Sequence, residues 1–182
     1  MGGRAAGPGR TGRSVVTAWD YAAALYARPN VEGICLALQD IDGQCVPLLL
    51  WRLWATDEGR AVDDALLKRA VALARGWESV AVAPLRAVRR TLQAPFPPIP
   101  DAARATLRER VAAAELAAER VLLEALDALT PDPAGAEADG LAAFRDLASE
   151  WGSPASREGL LGLIQAASAK GPLEERDRSA TP

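Results

Sequence analysis

The spacing of apolar residues along this chain is that of helices and not of strands. The first thirteen residues, rich in Gly, Arg and Ala, lack such spacing and are predicted to be disordered. From Ser14 onward apolar side chains recur at steps of three and four, interrupted by turn signals at 28–30 (Arg-Pro-Asn) and 41–43 (Ile-Asp-Gly). The pattern predicts helices over 14–27, 31–39 and 46–55, with Ser14 as the cap of the first.

A second group of predicted helices begins at Asp63 or Asp64. Helical spacing continues from there to Trp77, and Pro84 then falls inside a further helical run. Either a kinked helix continues through Pro84, or a new helix starts with this proline in its first turn; we favour the second. The proline-rich segment 94–100 (Ala-Pro-Phe-Pro-Pro-Ile-Pro) predicts a polyproline-like connector after it.

The longest predicted helix runs from Asp101, its expected cap, to about Leu129. One apolar stripe follows it at steps of four and three, through Leu107, Val111, Ala114, Ala118, Val121, Ala125 and Leu129, and Leu122 and Leu126 widen this stripe. The small residues in this stripe would allow close approach to the core or to a second copy, and the length of the helix favours the second copy. Two short helices are predicted over 141–151 and 156–169, and the sequence leaves open whether they join the core.

These elements predict an all-α protein, an irregular multi-helix bundle with one long C-terminal amphipathic helix. The predicted organisation is a disordered N-terminal arm over 1–13, a helical domain over 14–130, short C-terminal helices over 131–170, and a disordered tail over 171–182.

Composition narrows the classes of function. The 182 residues contain no histidine, so Ser-His-Asp, Cys-His and Glu-x-x-His sites cannot be built from this chain. We therefore expect no enzyme activity, no metal site and no cofactor. The net charge of −3 disfavours nucleic acid and anionic membranes as partners. No apolar run approaches the roughly 20 residues of a membrane span, so a cytoplasmic protein is expected.

Five residues are candidates for binding a partner. Arg86, Arg89 and Arg90, here called the arginine cluster, share one helix face and could hold a phosphate, a carboxylate cluster or an acidic partner helix. Alternatively, these cations only complement the end of their helix. Trp51 and Trp54, three residues apart, are either core residues or, if one is exposed, the anchor of an interface.

Both cysteines are predicted to be free thiols, as is usual in a reducing cytoplasm. Cys35 lies between Ile34 and Leu36 in an apolar helix and is expected in the core. Cys45 lies beside a turn and is expected to be exposed.

Several segments resemble one known family. WDYAAALY at 19–26, CLALQD at 35–40, LLLWRLW at 48–54 and PLRAVRR at 84–90 occur in this order. They are similar to the motifs of a proteobacterial family catalogued as a domain of unknown function, number twenty-three-ninety. The resemblance covers about residues 14–130. It implies an all-helical bacterial protein and supplies no reaction, ligand or partner.

The expected function is therefore that of a cytoplasmic helical adaptor or regulatory protein. It would bind another protein through the arginine cluster and one of the two tryptophans, with the long helix serving for docking or homodimer formation. The first alternative is an RNA- or ribosome-associated factor that uses the same arginines, whose affinity would fall steeply with salt. The second is a small-molecule-binding protein, or unfamiliar enzyme chemistry, in the tryptophan-rich core.

Overall fold

The computed structural model describes residues 16–135 and 139–169, and within these ranges it contains helices and no strand. The predicted all-α class is confirmed. The helices are α1 (Ala18–Tyr26), α2 (Val31–Asp40), α3 (Val46–Asp57), α4 (Asp64–Trp77), α5 (Ala83–Thr91), α6 (Asp101–Leu129), α7 (Gly140–Trp151) and α8 (Arg157–Ser168). The prediction of Ser14 as the cap of the first helix is wrong, because Thr17 caps α1 and its hydroxyl accepts from the Asp20 N–H. The predicted disordered segments 1–13 and 171–182 lie outside the described residues.

Helix α3 is the centre of the bundle. All of its residues from Val46 to Ala55 are buried, because α1, α6 and α7 pack around it. Pro47 lies in its first turn, where the missing N–H would have no helical acceptor in any case. The apolar run of this helix, interrupted only by the buried Arg52, thus reflects burial on every side.

Helices α7 and α8 belong to the same core. Phe144 and Leu147 of α7, and Leu160 and Leu163 of α8, are buried in one cluster with the side chains of α3. Helix α8 approaches α2 closely, since a Cβ added at Gly159 would lie 2.8 Å from a methyl carbon of Leu38. The residues after 130 therefore pack on the rest of the protein, which the sequence had left open.

Helix α4 continues into α5 without a break. A π segment, Glu78–Val82, joins the two helices, and the Ala83 N–H donates to the Glu78 carbonyl five residues earlier. Pro84 does stand in the first turn of α5, as we favoured, but the chain is helical on both sides of it. The structure is therefore closer to the continuous-helix alternative.

The connector between α5 and α6 is not polyproline-like, which corrects the prediction. The Ile99 N–H donates to the Phe96 carbonyl at 2.8 Å, so these residues form a tight turn, whereas polyproline helices have no internal hydrogen bonds.

Helix α6 has the predicted bounds, but the prediction of Asp101 as its cap is wrong, because Pro100 holds the cap position and Asp101 is already helical. Its buried face coincides with the predicted stripe only in part. The buried residues are Glu115, Ala118, Leu122, Leu123 and Leu126. Of the stripe only Ala118 is buried, while Leu107 and Val121 are 51% and 47% exposed. Leu122 and Leu126, which were predicted to widen the stripe, are buried, so the core face lies on their side of the helix. The stripe itself was not assigned to the core, because alanines on several sides of the helix give little contrast between its faces.

Residues 83–114 form what we call the arm. It consists of α5, the connector and the N-terminal half of α6, which lie side by side and antiparallel. No side chain of the arm is fully buried, in contrast to the flanking Val82 and Glu115. The arm therefore contributes surface rather than core.

Candidate functional site

The arginine cluster lies where the arm meets the core. The guanidinium of Arg86 donates to three carboxylates: from Nη1 to Glu78 at 2.6 Å, from Nε to Glu115 at 3.0 Å, and from Nη2 to Glu119 at 3.3 Å. The Arg86 side chain is only 13% exposed and that of Glu115 only 7%. Arg86 is thus a buried cation held between α6 and the π segment.

The other two arginines are also engaged by the protein itself. Arg89 donates to Glu115 from Nε and from Nη2, the second contact measuring 3.2 Å. Arg90 pairs with Asp40 at the end of α2, and both of these side chains are about half exposed. Of the three arginines predicted to contact a partner, Arg86 and Arg89 are mostly covered by the protein itself, whereas Arg90 remains about half exposed.

Local spacing explains why these groups meet. Arg86 and Arg89 are three apart in α5, and Glu115 and Glu119 are four apart in α6, so each pair occupies one helix face. Because α5 and α6 are antiparallel, the two faces oppose each other. The three glutamates were not predicted from the sequence, although Glu115 and Glu119 share one helix face just as Arg86 and Arg89 do.

The carboxylates outnumber the cations in this cluster. Burial raises the pKa of Glu119, and the nearby Arg86 guanidinium opposes that shift. Burial by itself would lower the pKa of Arg86, but the carboxylates of Glu78 and Glu115 outweigh it and the pKa is raised. The Glu78 Oε2 atom is buried without a hydrogen-bond partner. These ion pairs hold the arm in place, and we call the three arginines with Glu78, Glu115, Glu119 and Asp40 the clamp. Each guanidinium of the clamp already has a carboxylate partner, which an added phosphate would have to displace.

The two candidate tryptophans are core residues. Trp51 and Trp54 are both 0% exposed. The Trp51 Nε1–H donates to the Thr130 hydroxyl at 2.8 Å, and the Trp54 Nε1–H donates to the Val16 carbonyl at 2.9 Å. Neither ring is accessible to a partner in this fold, which corrects their place in the predicted contact.

Both cysteines are buried free thiols. The core position predicted for Cys35 is confirmed, but the exposure predicted for Cys45 is wrong. Cys45 immediately precedes the fully buried start of α3 and is covered together with it. Burial raises the pKa of each thiol to about 12, so neither is a thiolate near neutral pH.

We therefore expect no thiol of the native protein to react with a chromogenic disulfide reagent at neutral pH. Two thiols per chain should react once the protein is unfolded in urea. The measurement is the absorbance of the released thiolate with and without denaturant. Rapid reaction of one thiol in the native state would show that Cys45 is accessible after all.

Two open grooves lie elsewhere on the surface. One, of about 980 Å³, runs between α2 and α8 and is lined by apolar side chains such as Ile34, Ile41 and Leu161. The other, of about 690 Å³, lies at the turn from α7 to α8 beside Asp146 and Ser149.

Across residues 16–135 and 139–169, no three His, Cys, Asp or Glu side chains are grouped to hold a metal ion. Within the same ranges, no helix is long and apolar enough to cross a membrane.

Comparison with known proteins gives one match. The model of the family described as "Protein of unknown function (DUF2390)" matches residues 17–126, from the cap of α1 to the buried half of α6. The match therefore includes the whole arm and its clamp, and excludes α7 and α8. No curated protein and no solved structure matches the chain.

Proposed function

We propose that this chain, which belongs to the DUF2390 family, is a helical adaptor or regulatory protein that binds another protein through its arm. The observation that carries the proposal is the absence of any fully buried side chain among the described residues 83–114. Such a segment adds little hydrophobic stabilisation to the fold, yet four carboxylates hold its arginines in place. A rigid, uncovered helical segment is suited to presenting a surface.

The surface of the arm has the composition of a protein contact. Four large apolar side chains are about half or more exposed: Val88 (48%), Phe96 (67%), Ile99 (48%) and Leu107 (51%). Phe96 and Ile99 lie in the turn at the far end of the arm, and we call these two residues the tip. Aromatic side chains such as phenylalanine are enriched in protein interfaces, where a few residues near the centre contribute most of the binding energy.

The charge of the arm indicates the kind of partner. The arm carries six arginines and two carboxylates, in a chain whose net charge is −3. Glu78, Glu115 and Glu119 neutralise Arg86 and Arg89 from outside the arm, and Asp40 does the same for Arg90. Arg104 pairs with Asp101, while Arg110 has no ion-pair partner among the described residues. With these four outside carboxylates the arm presents no net charge, and a partner with an apolar patch would complement this surface.

This proposal changes the roles first expected for the site residues. In this proposal Arg86 and Arg89 hold the arm in position and do not contact the partner. Trp51 and Trp54 stabilise the core against which the arm packs. Arg90 and the tip would make the contact. We place the protein in the cytoplasm, because its two buried free thiols suit a reducing compartment, and we propose no catalytic step.

The test is affinity capture of the tagged full-length chain from its native lysate, with half of the sample treated with nuclease. We expect a stoichiometric protein partner that survives nuclease, is lost from the Phe96→Asp/Ile99→Asp variant, and is retained by Ala24→Asp. Ala24 is exposed on α1, away from the arm, and is the matched control. All variants should unfold at the same temperature, because these side chains are solvent-exposed.

Two outcomes would contradict the proposal. Capture that collapses on nuclease treatment would support the RNA-associated alternative. A partner bound equally by the tip variant and the wild type would show that the contact lies elsewhere than at the tip.

A further inference from the structure

We infer that a second copy of this chain packs antiparallel against the solvent-facing side of α6. Seven residues follow one another at steps of four and three along that side, and we call them the seam: Ala103, Leu107, Arg110, Ala114, Ala117, Val121 and Glu124. Every one of them is exposed. The seam shares its first four residues, among them Leu107 and Arg110, with the arm, but it includes neither Arg90 nor the tip, which make the proposed partner contact, so the inference does not rest on the proposed function.

The spacing of the seam is that of a two-helix coiled coil. Apolar residues at alternating steps of four and three keep one face turned toward a partner helix over several turns. Five of the seven seam residues are apolar, and Leu107 and Val121 are each about half exposed. Alanines at the centre, Ala114 and Ala117, allow two helix backbones to approach closely. Each copy therefore presents a long apolar strip that its own fold does not cover.

The two charged residues of the seam select the direction of pairing. In a parallel pair Arg110 would lie beside Arg110 of the other copy, and Glu124 beside Glu124, so like charges would meet at both positions. In an antiparallel pair centred between Ala114 and Ala117, Arg110 of one copy and Glu124 of the other lie about 4.5 Å apart along the helix axis. That offset is within reach of an arginine side chain. Charge complementarity therefore identifies the occupant as an inverted copy of the same helix.

The existing partner of Glu124 does not prevent this contact. Arg120 donates to Glu124 at 2.7 Å within the same helix, and both side chains are about half exposed. An exposed pair at this spacing contributes only a few tenths of a kcal/mol, and a carboxylate can accept further hydrogen bonds. Arg110 has no ion-pair partner in the described ranges of its own copy. The antiparallel pair would thus give each Arg110 an acceptor and create two equivalent ion pairs per dimer.

The first experiment is sedimentation analysis of the full-length protein over a wide range of concentration. We expect a reversible dimer, and we expect Ala114→Glu to raise its dissociation constant by at least about tenfold. Ala105→Glu is the matched control: Ala105 is also exposed on α6, but lies about 180° around the helix from Ala114. Both variants should keep the helical circular dichroism of the wild type. Wild-type protein that is monomeric at every concentration would overturn the inference, as would equal loss of the dimer in the control.

A charge exchange then tests the direction of pairing. Arg110→Glu and Glu124→Arg should each weaken the dimer, and the double variant should restore it, because the antiparallel contact is rebuilt with its signs reversed. A parallel pair predicts no such rescue, since like charges still meet. A double variant as weak as the single ones would therefore overturn the antiparallel arrangement. The tip variant should dimerise like the wild type, so failure of the proposed function and failure of the dimer are separable.

Discussion

Replacing Arg86 with methionine is expected to lower the free energy of unfolding by about 3 kcal/mol. The substitution removes the guanidinium shared by Glu78, Glu115 and Glu119 and leaves their carboxylates in a largely buried site. Removal of one partner from a buried ion pair is costly because the remaining charge has lost its water and its counter-charge. We place the value at the lower end of the range known for such pairs, since Arg89 would still bind Glu115. The measurement is urea unfolding followed by tryptophan fluorescence.

Arg90→Met is the matched control for this variant. The same substitution in the same helix breaks a pair that is about half exposed on both sides, so a change within about 0.5 kcal/mol is expected. Adding Glu78→Met to Arg86→Met should recover part of the lost stability, because Glu78, unlike Glu115, pairs only with Arg86 among the described residues and would otherwise remain as an unpaired, largely buried charge. Equal effects of Arg86→Met and Arg90→Met would show that the clamp is solvated and does not hold the arm.

Trp51→Ala is expected to destabilise the protein by about 3–5 kcal/mol. The indole is fully buried in the middle of α3, so its removal leaves a cavity that the surrounding helices can fill only in part. The substitution also removes the donor to the Thr130 hydroxyl at the end of α6. The same urea titration measures the loss, with Trp54 and the other tryptophans as the fluorescent probe.

A double-mutant cycle separates packing from hydrogen bonding at this position. Trp51→Phe, Thr130→Val and the double variant should show an interaction free energy of about 1 kcal/mol. Phe96→Ala is the control for an aromatic deletion outside the core and should change stability by less than about 0.5 kcal/mol, since that ring is largely exposed. A loss of comparable size for Phe96→Ala and Trp51→Ala would contradict the division into core and arm.

The positions of the helices could be predicted because their signals are local. Helices α2 and α3 begin at the predicted residues, and α6 has the predicted bounds, since prolines and turn residues mark these ends in the sequence. The orientation of α6 could not be predicted in the same way. Alanine occupies most of its circumference, so apolar spacing alone did not reveal that the buried face includes Glu115.

For the candidate site, the sequence predicted the shared face of the arginines but not their carboxylate partners. The shared face of the arginine cluster follows from steps of three and four within one helix. The carboxylate partners of these arginines, apart from Glu78, lie 26 to 50 residues away in the sequence. Which carboxylates meet the arginines therefore depends on how the arm packs against the other helices. The tryptophans illustrate the same limit: spacing places Trp51 and Trp54 on neighbouring faces of α3, but only the surrounding helices determine that both are covered.

The π segment has a consequence for the arm beyond its link to α4. Each of its hydrogen bonds spans one residue more than an α-helical bond, so the helix after it is rotated relative to an uninterrupted α-helix. If the same five residues, Glu78–Val82, had ordinary α-helical bonding, Arg86 and Arg89 would be turned by about 100° around the helix axis. The arginines would then point past Glu115, although every charged side chain would still be present. The extra residue that the π segment accommodates between Trp77 and Arg86 therefore determines which side of α5 faces Glu115, as firmly as any side chain does.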